Sequence, residues 1–102
     1  MIIKINIHSP ENIINLKINS EKNWAEYNGI EINKDFSNEV TKLIDIFSDW
    51  EKENTNLYVL DAEKINVEVI ENNISKKISF NGDYPKNYNN FKNVIKEIIK
   101  CF

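Results

Sequence analysis

The stretch from Ile65 to Phe80 constrains the fold more than any other, because its register can be checked against itself. Ile65, Val67 and Val69 alternate with Asn66, Glu68 and Ile70, and after Asn72-Asn73 the alternation resumes through Ile74, Ile78 and Phe80. Apolar side chains at every second position mark a half-buried strand, and Asn tolerates the positive φ that both central residues of a two-residue type I′ turn require. A two-residue loop sets Val67 opposite Ile78 and Ile65 opposite Phe80 on one face, and Glu68 opposite Lys77 on the other. A slip of one residue would turn the apolar set toward water, so this register predicts a hairpin with one buried face.

The same period recurs near the N-terminus. Ile3, Ile5 and Ile7 alternate with Lys4 and Asn6, His8-Ser9-Pro10-Glu11-Asn12 turns the chain, and Ile14, Leu16 and Ile18 alternate again, which predicts a second hairpin. A third strand is expected from Trp24 to Ile32, with Asn28-Gly29 acting either as a bulge or as a tight turn that divides it. The period then changes. Val40, Leu43, Ile44, Phe47 and Trp50 follow helical spacing, with Asp35 or Ser37 placed to cap and Glu39 in the first turn, which predicts a helix between Asp35 and Glu53. Leu57 to Leu60 reads as a short strand. A closing helix is expected from about Asn87 onward, with Phe91, Val94, Ile95, Ile98 and Ile99 on its apolar face.

The predicted order is therefore β-β-β-α-β-β-β-α in one α+β domain spanning residues 1–102: an antiparallel sheet of about five to six strands, with two amphipathic helices packed on one face. A chain of 102 residues, 41% hydrophobic and with only two Gly and two Pro, suits one ordinary globular core. The sheet's other face, or a free edge strand, is left available to solvent, to a partner or to a second copy.

Composition narrows the chemistry. All 13 basic residues are Lys, and net charge is −3. Without the bidentate fork of Arg, and with an acidic balance, sequence-specific DNA reading and phosphoryl chemistry are disfavoured. The single cysteine, Cys101, has no intramolecular disulfide partner, and Met1-Ile-Ile-Lys-Ile-Asn-Ile lacks the apolar core and cleavage site of a signal peptide, so a cytoplasmic location is expected. No apolar run approaches the roughly 20 residues a spanning helix needs.

No catalytic constellation is legible. His8, the one histidine, lies in a hairpin loop beside Ser9 and Pro10 and reads as a surface residue, and Cys101 lies at the edge of a helical apolar face, where packing is expected. One His and one Cys cannot build a zinc site, and Gly29 and Gly82 make no phosphate loop. The expectation is a protein with no enzymatic role, metal or cofactor.

Two charged features remain. Lys92, Lys96 and Lys100 form a basic stripe on the closing helix, near Tyr84 and Tyr88, and together could bind single-stranded nucleic acid; Glu97 and the absence of Arg weigh against it. Residues 35 to 63 carry eight carboxylates against Lys42 and Lys52 alone. Within them Asp45, Asp49 and Glu53 recur at four-residue intervals along the first helix, a field able to steer a basic partner, and Trp50, Trp24 and Tyr27 are residue types that anchor interfaces.

Leu60-Asp61, the strands Ile65-Asn66-Val67-Glu68-Val69-Ile70 and Lys77-Ile78-Ser79-Phe80, and Gly82-x-Tyr84-Pro85-x-Asn87-Tyr88-x-x-Phe91 resemble small bacterial immunity proteins encoded beside polymorphic toxins. The resemblance covers less than half the chain and rests on a hairpin, a Gly-Tyr-Pro turn and a closing helix. It implies a protein that binds and neutralises a bacterial effector such as a toxin nuclease. A phage-encoded anti-defence protein, such as an anti-CRISPR acting on a host nuclease, is the alternative in the same size class.

Overall fold

The computed structural model describes residues 1–52, 64–81 and 87–102. Six strands form one antiparallel sheet: β1 Ile2–His8, β2 Ile13–Asn19, β3 Trp24–Tyr27, β4 Ile30–Asn33, β5 Lys64–Glu71 and β6 Ile74–Asn81, with helix α1 at Ser37–Lys52 and α2 at Tyr88–Ile99. Their order across the sheet is β4-β3-β2-β1-β5-β6. Four hairpins supply the local pairings, and the one non-local pairing, β1 with β5, joins the two halves of the chain at the centre.

The β5–β6 register is the expected one: Val67 faces Ile78, Ile65 faces Phe80 and Glu68 faces Lys77, with Asn72 and Asn73 both at positive φ in the turn. Asn28-Gly29 proves to be a tight turn rather than a bulge, with φ of 46° and 89°, so the expected third strand is two strands. The Asn28 side chain does more than turn the chain. Its Oδ1 accepts the Asn15 N–H at 2.8 Å and its Nδ2 donates to the Ile13 carbonyl at 3.1 Å, capping the part of β2 that extends beyond β3. The observed order is thus β-β-β-β-α-β-β-α; the strand expected at Leu57–Leu60 lies outside the described residues.

Odd-numbered residues of β1 and β5 and even-numbered residues of β2 and β6 turn inward, which buries Ile3, Ile5, Ile7, Leu16, Ile18, Ile65, Val67 and Phe80 beneath both helices. The helices meet this face along the stripe Val40, Leu43, Phe47 and Trp50 of α1 and along Phe91, Val94, Ile95 and Ile98 of α2. Trp50 stands at the centre of the aromatic packing, with ring centroids 5.4 Å from Phe47, 5.0 Å from Phe80 and 4.9 Å from Phe91. Tilted and edge-on arrangements at these separations are the favourable ones for aromatic quadrupoles.

Phe36 anchors the start of α1. It is buried one residue before the helix, where an apolar side chain fixes the angle at which the chain enters it. Asp35 completes the cap: its Oδ1 accepts the Ser37 N–H at 2.8 Å and also the Ser37 hydroxyl, and these two bonds hold the carboxyl below the ordinary Asp range.

Candidate functional site

Because both helices lie on one side, the molecule presents two dissimilar surfaces. On the helix side, α1 and α2 enclose a groove of about 370 Å³ whose walls include Asp45 and Asp49 from α1 and Asn87, Asn90 and Asn93 from α2. Asp45 is exposed and Asp49 half-buried. Asn87, at φ 65° just before α2, donates from Nδ2 to Asp49 Oδ2 at 2.8 Å, which fixes one carboxylate oxygen. Lys42, the cation of the groove, reaches Glu97 of α2 at 3.7 Å. Its charge is engaged by that carboxylate, so among the described residues Asp45 and Asp49 are the remaining charges lining the groove.

On the sheet side every described outward-pointing side chain is exposed or half-buried. Four rows cross the strands; the outermost, at the end of β1, is Ile13, His8 and Lys64, and three lie inside it. One is Asn15, Asn6, Asn66 and Ser79, in which the Ser79 hydroxyl donates to Asn66 Oδ1 at 2.7 Å. The next is Glu31, Glu26, Lys17, Lys4, Glu68 and Lys77. Glu68 is its most constrained member: Ser75 donates to Oε2 at 2.6 Å, and Lys4 and Lys77 approach at 3.8 and 3.9 Å. The Ser75 bond, followed by the two lysines, holds the Glu68 carboxyl below the ordinary Glu range. The third row holds Trp24, Asn19, Ile2, Ile70 and Ser75.

The residues expected to form one partner surface are distributed over three places. Asp45 and Asp49 share the helix-side groove. Trp50 is 1% exposed on the opposite, core-facing side of the same helix, so it packs the core and cannot anchor a partner. Trp24 is half-buried on the outer sheet face, with the Lys17 Nζ 5.5 Å from its ring centroid, while Tyr27 points to the inner face and packs on Phe102 with centroids 5.6 Å apart. Glu53 lies outside the described residues.

The lysine stripe is also divided. Lys96 and Lys100 are exposed on α2, whereas Lys92 is half-buried and engaged by neighbours. Tyr88 packs against Phe91 with centroids 6.4 Å apart and belongs to the rim of the core, which removes it as a free stacking platform; Tyr84 lies outside the described residues. His8 is exposed at the end of β1. Cys101 is half-buried against the core and its sulfur accepts from Lys34 Nζ at 3.0 Å. Among the described residues no group of three or more His, Cys, Asp or Glu side chains could hold a metal ion, and no helix is long and apolar enough to cross a membrane.

Sequence reading missed Asn87 as the residue that orients Asp49, although its place before a helix was visible; the contact spans 38 positions and carries no local signal. Comparison with protein-family models, curated proteins and solved structures returned no significant match.

Proposed function

We propose that this domain is a non-enzymatic inhibitor that binds and neutralises a bacterial effector, in the manner of an immunity protein, by setting the Asp45/Asp49 groove against a basic surface of that effector. The observation that carries this reading is the groove itself. Two carboxylates line it, one oriented by Asn87, and Lys42, the lysine among its described lining residues, is engaged by Glu97. A negative field of this kind accelerates encounter with a cationic surface and rejects anionic competitors. A toxin nuclease fits that requirement, since its active site must itself attract phosphates. The resemblance of the β5–β6 hairpin and closing helix to immunity proteins points the same way.

The test is recovery of a tagged chain from its native host at moderate salt, beside the Asp45→Lys/Asp49→Lys variant. A stoichiometric effector that accompanies the wild-type chain, is inhibited by it and is lost from the variant supports the reading. An effector recovered equally with both rejects the groove as its site, and recovery of the wild-type chain alone or with nucleic acid rejects the inhibitor assignment.

A further inference from the structure

We propose that two copies of this chain pair face to face through the outer surface of β1–β4. The ground for this is the charge row that crosses the sheet. On the β4–β3 side it holds Glu31 and Glu26, and among the described residues no cation comes within ion-pair distance of either. On the other side it holds three lysines, Lys17, Lys4 and Lys77, against the single carboxylate Glu68. The row is a dipole lying flat on a sheet face that no described element covers.

Such a row complements itself under a two-fold axis. An axis parallel to the strands, midway between two facing sheets and passing between β3 and β2, keeps each row level and reverses its order. Glu26 then meets the second copy's Lys17, Glu31 meets the second copy's Lys4, and each contact occurs twice, as an isologous interface requires. The same operation carries Trp24 over the second copy's Asn19, beside its Ile2. It also carries the Asn28-Gly29 turn over β2 and β1 at the level of Asn15 and Asn6, because Asn28 is aligned with Asn15 by the 3.0 Å bond from its N–H to the Asn15 carbonyl. At that level the outer face has a depression of about 530 Å³ that runs from Asn6 on β1 past Asn15 and Ile13, the last 54% exposed, to the chain's own Asn28-Gly29 turn. The two-fold thus sets the turn over a recess and acidic residues over basic ones. A different protein would have to carry the matching dipole, recess and turn on its own account; a second copy has all three. Both helix layers then face outward, leaving each acidic groove accessible.

The experiment is sedimentation equilibrium of the full chain at low and high salt, with the variants Lys17→Glu, Glu26→Lys and the exchanged pair Lys17→Glu/Glu26→Lys, each first shown to be folded by circular dichroism. Wild type is expected at twice the 12.0 kDa of one chain at low salt, with a dissociation constant that rises about tenfold or more as salt screens the contacts. Each single variant is expected to be monomeric, because symmetry doubles the like-charge contact. An equal mixture of the two single variants is expected to form a 1:1 dimer, and the exchanged pair to dimerise as wild type does. Wild type at the mass of one chain up to about 100 μM overturns the proposal, since an interface of standard size holds well below that concentration. So do single variants that dimerise like wild type, or a mixture that stays monomeric.

Discussion

Replacing Trp50 by Ala separates two roles that its residue type allows. Its side chain is 1% exposed and lies 4.9 to 5.4 Å, centroid to centroid, from three other aromatic rings. Truncating a buried Trp costs about 3–5 kcal/mol in lost transfer energy and cavity. The whole stability of a chain of this length is about 5–15 kcal/mol, so the substitution removes a large fraction of it. At about 4–8 °C per kcal/mol for a domain near 100 residues, the melting temperature should fall by about 12–40 °C. Guanidinium unfolding followed by far-UV circular dichroism measures the loss directly, with an unchanged denaturant slope showing that the midpoint shift is one of stability. A loss below about 1 kcal/mol, the range of exposed positions, would refute the placement of Trp50 in the core and restore it as a surface anchor.

Further outcomes follow from the same packing. In a Trp24→Phe background the remaining fluorescence comes from Trp50 and should be blue-shifted and weakly quenched by iodide; strong quenching would contradict its burial. Asn28→Ala removes two hydrogen bonds to β2 and forces Ala into a positive φ, so it should cost about 1–3 kcal/mol by denaturation and speed amide exchange at Asn15. Ser75→Ala should raise the Glu68 pKa in a carboxyl NMR titration, because the Ser75 hydroxyl is the main cause of its depression. A folded-state pKa below the unfolded one means that Glu68 stabilises the fold above the ordinary carboxylate range and that this contribution is lost as pH falls through the depressed value, so the variant should be less acid-sensitive than wild type.

The β5–β6 register was legible because two signals agreed there. The period-2 pattern at Ile65–Phe80 and the positive-φ tolerance of Asn72-Asn73 demand the same two-residue loop, and the structure has it. At Asn28-Gly29 the dipeptide marked a change of direction, but whether a bulge or a turn results depends on how far β2 extends beside it, which is a pairing and not a local property. For Trp50 the signals conflicted. Its position seven residues after Leu43 places it on the buried stripe of α1, whereas its residue type is common at interfaces; periodicity prevails because the stripe is what seats the helix on Phe80 and Phe91. Phe36 escaped the pattern because it precedes the helix and its burial comes from the chain's approach to α1.

Which hairpins neighbour one another was not legible at all. β1 lies at the centre because it pairs with β5, more than fifty residues away, and only that pairing brings Lys4 beside Glu68 and assembles the charge row. The Asp49–Asn87 contact has the same origin, in the docking of α2 beside α1. Acidic residues could be counted from the sequence, but which of them share a groove is decided by packing.

The most direct measurement of the central claim is the association rate of this chain with its captured effector across a salt series, for wild type and Asp45→Lys/Asp49→Lys. A steering groove is expected to give a wild-type rate that falls steeply with salt, and a variant rate about tenfold or more lower at low salt with a flattened or inverted dependence. Equal rates and equal salt slopes for the two proteins would contradict the assignment of the Asp45/Asp49 groove as the binding surface.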